Sequence, residues 1–272
     1  MNKPQILVSG ATGFVGQHLI PILLDNGHEV IAMGRDENKA KQFDWYKKVK
    51  FLSFDYHKSN IRFKPEKGSS LIHLAWQGLP DYMSLDHIEN NLPKNYEFIK
   101  ELIISGISKV LVVGTCLEYG FKYGPLCATD TTNPVTPYAF AKDTLRQSIN
   151  FLQQEHEFSF QWARLFYMYG KGQNSKSVLA QLDEAIKNGD STFNMSNGDQ
   201  LRDYLPVENV AKQLYEIHKN NLNGIYNVCS EKPISIRRLV EKRINEKESS
   251  IKINLGYYQY PDYEPMAFWG KK

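Results

Sequence analysis

Short apolar runs alternate with amphipathic stretches along the first 165 residues of the chain. The runs that predict strands cover residues 6–9, 29–33, 49–54, 70–74, 110–113 and 160–165. Several of them are continuously apolar, which is typical of strands that are covered on both faces. Between them, stretches such as 14–24 and 92–104 repeat apolar residues at helical spacing. This order predicts an α/β protein built on a doubly wound parallel sheet.

The composition of the chain changes after Gly170. Residues 171–200 are richer in glycine, asparagine and serine and contain one helical run at 178–186. A strand at 224–228 and a helix at 236–244 follow, and residues 255–269 show no helical period. We therefore expect one domain over residues 1–170 and a smaller lobe over residues 171–272, with some return of the chain to the first domain.

Composition and charge exclude several classes of protein. The 33 basic and 30 acidic residues leave a net charge of +3, too even for an electrostatic nucleic-acid binder. The longest apolar stretches are strand-sized, which argues against a membrane protein. Three cysteines and seven scattered histidines indicate neither a disulfide framework nor a metal site. The N-terminus leaves no room for a signal peptide before the first strand, so we expect a cytoplasmic location.

The first predicted strand runs into a glycine-rich turn that opens a helix. The turn has the pattern G-x-x-G-x-x-G and reads Gly10-Ala11-Thr12-Gly13-Phe14-Val15-Gly16. One glycine allows the tight bend, a second lets the backbone approach a pyrophosphate, and a third lets helix and strand pack closely. The helix N-terminus offers N–H groups and a positive dipole end to phosphates. We interpret the motif as a dinucleotide site rather than a purely structural turn, with contacts from Gly10, Thr12, Gly13, Phe14, Val15 and Gly16.

The ends of the second and third strands bear on the choice of cofactor. An acidic residue at the end of the second strand would bind the ribose 2′-hydroxyl of NAD. Gly34 stands there instead, and Arg35 can pair with a 2′-phosphate or remain a solvated loop charge. Asp36 can cap the next helix. NADP is therefore favoured and NAD stays possible. Asp55 is placed to meet the adenine amino group, or else it forms a turn.

A second set of residues indicates proton transfer. Tyr138 and Lys142 share one helix face at a spacing of four, and Thr115 ends the fifth strand. A lysine ammonium beside a phenol, near a cationic nicotinamide, lowers the pKa of the phenol. The hydroxyl of Thr115 can hold a substrate oxygen. Y-x-x-x-K alone recurs by chance, but together with the glycine turn it predicts Thr115, Tyr138 and Lys142 as catalytic residues.

With both motifs present, the chain resembles the extended short-chain dehydrogenase/reductase family, also called the NAD-dependent epimerase/dehydratase family, over nearly its whole length. His73-Leu74-Ala75 resembles the strand-end H-x-A motif, and Asn90 matches a helix asparagine near the cofactor. Residues 114–120 resemble the family's serine-rich strand ending in Tyr-Gly, which puts Thr115 at its catalytic Ser/Thr position. The resemblance implies a Rossmann-like fold with a smaller C-terminal substrate-binding lobe. It also implies cofactor contacts from Leu74, Ala75, Asn90, Tyr138 and Lys142.

The family's substrates are mostly nucleotide sugars, held by the second lobe. Residues 164–170 match R-x-x-N-x-x-G, except that Tyr167 replaces the asparagine that usually contacts the nucleotide or sugar. Residues 198–204 match G-x-x-x-R-D, so Arg202 binds the diphosphate or, alternatively, forms a surface salt bridge. Phe193 is similar to the base-packing aromatic, or it is a core residue of the lobe. The resemblance implies a homodimer formed by helices near 90–105 and 138–155, and a substrate site with Thr115, Cys116, Tyr167, Phe193 and Arg202.

Departures from the family pattern narrow the activity. Family dehydratases place an Asp-Glu pair directly after the catalytic threonine. This chain has Cys116 and Leu117 there, so we do not expect a 4,6-dehydratase. Reductases that also epimerise C3 and C5 place an acid–base cysteine at the position of Leu117, so the chain resembles them less well. Residues 74–80, 114–120 and 256–270 resemble nucleotide-linked 4-keto-6-deoxyhexose reductases, such as CDP-abequose synthase and dTDP-fucose-forming reductases of bacterial surface polysaccharide synthesis. Trp76 and Trp269 in these stretches can equally be aromatics that pack within a lobe.

We therefore expect NADPH-dependent reduction of a nucleotide-linked 4-keto-6-deoxyhexose. In this reaction Tyr138 donates a proton, Thr115 holds the sugar oxygen and Lys142 binds the nicotinamide ribose. The first alternative is a C4 epimerase, which uses the same three residues with a tightly held NAD. The second is a non-catalytic NADP-sensing regulator, but such proteins generally lose the tyrosine that this chain keeps.

Overall fold

The central element of the protein is a seven-stranded parallel sheet. The computed structural model describes residues 5–58 and 63–272. Across the sheet the strands follow the order β3, β2, β1, β4, β5, β7 and β11, and every neighbouring pair is parallel. Their bounds are β1 Ile6–Ser9, β2 Val30–Gly34, β3 Lys50–Ser53, β4 Ser70–His73, β5 Lys109–Thr115, β7 Ser159–Leu165 and β11 Gly224–Val228. The doubly wound α/β fold predicted from the apolar runs is confirmed.

Helices cover both faces of this sheet. The helices are α1 Gly16–Asp25, α2 Glu37–Ala40, α3 Leu92–Ile104, α4 Pro137–Leu152, α5 Val178–Asn188, α6 Val207–Lys219 and α7 Ile236–Glu246. Along β1, Ile6 and Val8 pack on the side of α1 and α6, whereas Leu7 packs on the side of α3 and α4. This alternation explains why the strand is apolar at every position, since both of its faces are buried.

A smaller lobe with its own hydrophobic core lies beside the sheet. Short strands also lie outside the large sheet: β6 Gly124–Cys127, β8 Tyr167–Tyr169, β9 Thr192–Asn194, β10 Leu201–Pro206, β12 Pro233–Ser235, β13 Lys252–Asn254 and β14 Phe268–Lys271. They form three small sheets, β12-β10-β8, β13-β9 and β14-β6. The lobe's core joins α5 and α7 through residues such as Leu182 and Val240.

The chain returns to the large sheet after the first part of the lobe. Helix α6 packs against α1, and β11 pairs with β7 from Gly224↔Gln161 to Val228↔Leu165. β11 is among the strands predicted from the sequence, whereas α6 is not among the predicted helices. Within the described residues, no helix has both the length and the apolar character that crossing a membrane requires.

The strand order places one crevice at the carboxyl edge of the sheet. The order reverses between β1 and β4, so the connections leave these two strands in opposite directions. In open α/β sheets, ligands bind in the crevice that opens at such a reversal. Both predicted motifs lie at this edge, because the glycine turn follows β1 and Thr115 ends β5.

Candidate active site

A cleft of about 1000 Å³ joins the carboxyl edge of the sheet to the smaller lobe. The residues that line it come from both lobes, and most of the residues predicted for the site are among them. These predicted residues are Gly10, Thr12, Gly13, Phe14, Val15, Gly16, Arg35, Leu74, Ala75, Thr115, Cys116, Tyr138, Lys142 and Tyr167. Four predicted residues do not line it: Asp55, Asn90, Phe193 and Arg202.

The glycine turn brings the backbone of β1 against the loop after β4. Gly10 has φ +74°, and a Cβ on it would lie 2.9 Å from the backbone nitrogen of Ala75. A Cβ on Gly16 would lie 2.3 Å from the carbonyl oxygen of Gly10. No side chain caps the N-terminus of α1, which leaves this end of the helix to face the cleft. The turn therefore fits the pyrophosphate of a dinucleotide, as the motif implies.

Two basic side chains line the far end of the cleft beyond β2. Arg35 and Lys39 are both exposed and lie on the cleft wall. The carboxylate of Asp36 accepts a hydrogen bond from the backbone nitrogen of Lys39 at 3.1 Å, so it caps α2. Glu37 pairs with Lys41 and accepts a hydrogen bond from Tyr46. The acidic groups here are thus engaged elsewhere, and positive charge faces the cleft.

The structure places Asp55 and Asn90 away from the cleft. Asp55 accepts a hydrogen bond from the backbone nitrogen of His57 at 3.0 Å, which is the turn-forming alternative, while its neighbours Phe54 and Tyr56 line the cleft. Asn90 is exposed and donates to Asp86. Both assignments therefore differ from the expected cofactor contacts.

Buried asparagines next to Asn90 support the loop after β4. Asn91 accepts a hydrogen bond from the backbone nitrogen of Gln77 at 3.3 Å. Asn95 donates to the carbonyl of Asn91 at 2.6 Å and lies 2.6 Å from Nε2 of His73, whose Nδ1 lies 2.7 Å from the hydroxyl of Ser9. Burial, followed by the nearby Lys142, lowers the pKa of His73 to about 3. A neutral His73 therefore anchors the H-x-A segment beneath the cleft.

Thr115 stands at the start of a turn that is fixed from below. Its hydroxyl accepts a hydrogen bond from the backbone nitrogen of Leu117 at 3.3 Å, and its own nitrogen donates to Glu118 at 2.8 Å. Glu118 is fully buried and also accepts from Trp162 and from Arg164, the latter at 2.7 Å. These four contacts hold the backbone of Thr115 rigidly at the cleft wall.

Gly114 makes this arrangement possible. A Cβ at this position would lie 2.2 Å from Nε1 of Trp162 and 2.3 Å from Oε1 of Glu118. Any side chain there would displace the buried carboxylate that holds the turn. Glu118 lies within the 114–120 segment, in which the sequence assigns a function only to Thr115 and Cys116.

Tyr138 and Lys142 lie in the first turns of α4, facing Thr115. The helix begins at Pro137, and Thr136 caps it by accepting from the backbone nitrogen of Ala139 at 3.2 Å. Both side chains are buried, and the Lys142 ammonium donates to the carbonyl oxygen of Val113 at 2.9 Å. The helix thus points a phenol and an ammonium at the wall that carries Thr115.

Burial sets the protonation of this pair. It raises the pKa of Tyr138 well above its usual range, and a hydrogen bond with Thr115 opposes the rise. It lowers the pKa of Lys142 to about 7, against the attraction of Glu118. In the cofactor-free protein the phenol is therefore a protonated acid at neutral pH. The motif predicts that the lysine lowers the pKa of the phenol, but burial, which raises it, dominates in the structure.

The substrate side of the cleft differs more from expectation. Cys116 and Tyr167 line it, and burial raises the pKa of the Cys116 thiol, which stays protonated. Phe193 packs in the core of the smaller lobe, the alternative to a base-packing function. Arg202 is buried and pairs with Glu264 at 2.8 Å, while its guanidinium stacks on Phe268. In this arrangement Glu264, rather than Arg202, lies on the wall of the cleft.

Several residues at the site have no function assigned from the sequence. Lys39 follows Arg35 by four positions, so helical spacing could have linked the two. Trp76 and Tyr82 line the cleft beside Tyr138. Glu264 lies in an irregular tyrosine- and proline-rich stretch, where no local pattern indicates its position. Among the described residues, no cluster of histidine, cysteine or carboxylate side chains could hold a metal ion.

Comparison with known proteins places the chain among nucleotide-sugar enzymes. Residues 6–229 match the model of the NAD dependent epimerase/dehydratase family. The chain is 30% identical to dTDP-6-deoxy-L-talose 4-dehydrogenase (NAD(+)) of Aggregatibacter actinomycetemcomitans over 98% of its own length and 99% of that protein. It is 26% identical to CDP-abequose synthase of Salmonella typhimurium, over 80% and 71% of the two chains. A UDP-N-acetylglucosamine 4-epimerase from Methanobrevibacter ruminantium superimposes with a TM-score of 0.86 at 23% identity, covering 98% and 90% of the two chains.

Proposed function

The chain belongs to the NAD-dependent epimerase/dehydratase family of nucleotide-sugar-modifying enzymes, and from this premise we propose that it reduces the C4 keto group of a nucleotide-linked 4-keto-6-deoxyhexose with NADPH. The observation that carries the proposal is that Thr115, Tyr138 and Lys142 line the same cleft as the glycine turn. Relatives support the substrate class, because two of them are named for dTDP-6-deoxy-L-talose and CDP-abequose.

The three residues divide the work of proton transfer. When bound, the nicotinamide cofactor supplies the hydride that C4 accepts. Tyr138, kept protonated by burial, donates its proton to the oxygen at C4. Thr115 holds that oxygen with its hydroxyl, on a backbone fixed by Glu118. The Lys142 ammonium stabilises the phenolate that remains after the transfer and binds the nicotinamide ribose.

Charge at the far end of the cleft supports NADPH. Arg35 and Lys39 line this end, and Asp36 is engaged as the cap of α2. A 2′-phosphate would gain two cationic partners there and meet no free carboxylate at the end of β2. The related 4-dehydrogenase is named with NAD(+), so this chain's preference depends on these two side chains.

Two substitutions test the choice of cofactor. Arg35→Ala and Lys39→Ala should each raise the KM for NADPH and leave that for NADH nearly unchanged. In the double variant the two losses of binding free energy should add. Lys41→Ala, which removes an exposed cation that directly follows α2 and pairs with Glu37, is the matched control. If the wild type already prefers NADH, or if the KM values for both cofactors rise equally in the variants, the assignment to NADPH is wrong.

The activity itself is tested with a panel of substrates. CDP-, dTDP-, GDP- and UDP-linked 4-keto-6-deoxyhexoses are mixed with the enzyme, and the loss of NADPH absorbance is followed, with Tyr138→Phe as the inactive control. We expect net NADPH consumption with at least one nucleotide. A protein that purifies with bound NAD, interconverts C4 epimers and consumes no NADPH would be an epimerase. No turnover of either kind with intact NADPH binding would favour the cofactor-sensing alternative.

We further propose that the enzyme is a homodimer formed by α3 and α4. Three large apolar side chains on these helices are exposed, Ile104 on α3 and Phe140 and Phe151 on α4. Family resemblance predicts the same pair of helices as the contact. Light scattering after size-exclusion chromatography should give twice the chain mass, and Phe151→Lys should reduce it. A wild-type monomer at assay concentration would contradict this proposal.

A further inference from the structure

Lys142 is a buried cation whose charge needs a source of stabilisation. The residue is 1% exposed, and its ammonium donates to the Val113 carbonyl. Within the described residues, it has no carboxylate at salt-bridge distance, and Glu118, which attracts it, is committed to Thr115, Trp162 and Arg164. An isolated buried ammonium is costly unless other groups stabilise it.

The face of Trp76 lies directly against this ammonium. Nζ of Lys142 is 4.1 Å from the centroid of the indole ring. Tryptophan is the strongest aromatic partner for a cation within about 6 Å, and the attraction grows when water is excluded. Trp76 follows the H-x-A segment, so the same loop that supports the cofactor also presents the ring to Lys142.

Trp76 is held in this orientation by a buried histidine. Its Nε1 donates to Nδ1 of His87 at 3.1 Å, and Nε2 of His87 lies 2.7 Å from the carbonyl oxygen of Asp81. An indole N–H can only donate. Nδ1 of His87 must therefore accept, and the proton resides on Nε2, which donates to Asp81. His87 is fully buried, so the indole cannot turn without breaking this chain of hydrogen bonds.

Trp76 and His87, together with Tyr82, also pack around the ring of Tyr138. The ring of His87 lies 5.2 Å from that of Tyr138, Tyr82 lies at 5.4 Å, and Trp76 meets it edge-on at 6.0 Å. The carbonyl of Tyr82 also accepts from the backbone nitrogen of Tyr138 at 3.2 Å. One aromatic wall therefore touches both members of the pair that transfers the proton.

We propose that Trp76 is a positioning residue of this pair: its ring stabilises the charged form of Lys142 and fixes its Nζ beside Tyr138, with His87 holding the ring in place. The inference rests on the proposed catalytic function of Tyr138 and Lys142. It assigns to an uncharged side chain the stabilisation that a carboxylate would otherwise supply. A carboxylate in that place would repel the phosphates of cofactor and substrate, whereas an indole does not.

The other ionisable groups around Lys142 leave this effect observable. Glu118 interacts with it from the turn after β5 and His73 from β4. Tyr138 lies one helical turn before it on α4, and His87 adjoins Trp76 and Tyr138. His73 is neutral near pH 7, because burial lowers its pKa to about 3, and both ring nitrogens of His87 are engaged, Nδ1 by Trp76 and Nε2 by the carbonyl of Asp81. Glu118 keeps its contacts in any variant of Trp76, so a change in the titration of Lys142 reports the loss of the ring.

The experiment titrates Lys142 directly in the cofactor-free protein. Lysine labelled with ¹³C at Cε is incorporated, the Lys142 resonance is assigned by its absence in Lys142→Met, and its chemical shift is followed with pH. Trp76→Leu should lower the midpoint by roughly 0.5–1.5 pH units, the equivalent of a desolvated cation–π contact. The Lys142 midpoint in Trp76→Phe should lie between those in Trp76→Leu and wild type. Trp269→Leu, which removes a partly buried tryptophan outside the cleft, should leave the midpoint unchanged.

Kinetics give a second readout and separate the possible failures. In Trp76→Leu the alkaline limb of the kcat profile should move to lower pH by the same amount. An unchanged Lys142 midpoint in a folded Trp76→Leu protein refutes the proposal. A higher KM for the substrate with an unchanged pH profile of kcat also refutes it, because Trp76 would then bind the substrate instead of positioning Lys142. If Trp76→Leu does not fold, wild-type protein containing 5-fluorotryptophan, whose rings attract cations less, should show a smaller shift in the same direction. An active Tyr138→Phe, in contrast, would refute the proposed function itself.

Discussion

Replacing Lys142 by methionine should make the cofactor-free protein more stable at neutral pH while removing its activity. The folded protein holds the pKa of Lys142 at about 7, against an ordinary value of 10.5, because burial disfavours the ammonium. Methionine keeps an unbranched, apolar stem of similar length and has no charge to desolvate. The function of the site thus opposes its stability at this position.

The size of the effect follows from the shift in pKa. The difference between 10.5 and about 7 is roughly 3.5 units, or ~5 kcal/mol at about 1.4 kcal/mol per unit. The variant also leaves the carbonyl of Val113 without its donor, which costs about 1–3 kcal/mol. The expected net gain at pH 7 is therefore about 2–4 kcal/mol.

The gain should shrink as the pH rises. Between about pH 7 and 10.5 the unfolded chain binds a proton at this lysine that the folded protein has released, so wild-type stability rises with pH in this window. The variant lacks that dependence. From pH 7 to pH 9 its advantage should fall by roughly 2.3 kcal/mol, less than the full value of about 1.4 kcal/mol per pH unit because the folded lysine is still half protonated at pH 7.

Urea denaturation of both proteins from pH 6 to pH 9, without cofactor, measures this difference. Groups that titrate in both proteins cancel, including the many tyrosines. Lys212→Met, at an exposed position on α6, is the control and should show no pH-dependent difference from wild type. A stability difference for Lys142→Met that stays constant over this range would refute the reasoning, because it would mean that the lysine keeps its charge when it is buried.

Three further predictions concern other groups. Tyr138→Phe should lower turnover by ~10²–10⁴-fold and leave NADPH binding, followed by fluorescence, nearly unchanged; full activity would remove Tyr138 as the acid. Glu118→Gln should lower the free energy of unfolding by about 3–5 kcal/mol, because it leaves the buried Arg164 without its charged partner. A loss no larger than that of the exposed Glu216→Gln would contradict the assigned support of Thr115. Burial lowers the pKa of His218 to about 3, so the unfolded chain binds the extra proton below pH 6.5 and wild-type stability falls toward acid by about 1.4 kcal/mol per unit from this group. His218→Asn should make the fall in urea-measured stability between pH 6.5 and 4 shallower than in wild type, while His73 keeps its own contribution, and parallel curves would exclude this cause.

The parts of the site that could be predicted are those fixed by neighbours in the sequence. The glycine turn must follow β1 directly, and Tyr138 and Lys142 share a face because they lie four residues apart on α4. These constraints act within one or two turns of chain, so a pattern of residues describes them fully. The sheet follows for the same reason, because its strands are buried on both faces.

Residues whose position depends on distant parts of the chain could not be assigned in this way. Asn90 and Asn91 are adjacent, and only the packing of the turn before α3 decides which of them points inward. Asp55 has the same choice between the cleft and its own turn. Arg202 meets Glu264 from 62 residues away, and no local signal marks such a pair. Helix α6 did carry a signal, since Val207, Val210, Ala211 and Leu214 recur at helical spacing and are buried.

The return of the chain to the large sheet has a consequence for synthesis on the ribosome. Helix α6 covers the apolar side of α1 that holds Leu19, Ile20 and Leu23, and β11 completes the sheet beside β7. Both are translated after α5, so the nascent domain of residues 1–170 exposes part of its apolar interior until residues 207–228 leave the exit tunnel. Such exposed surface attracts chaperones and promotes aggregation. A stop codon near residue 170 would therefore yield an insoluble fragment rather than a working nucleotide-binding module, and splitting the gene between the two lobes would separate a helix from the surface it protects.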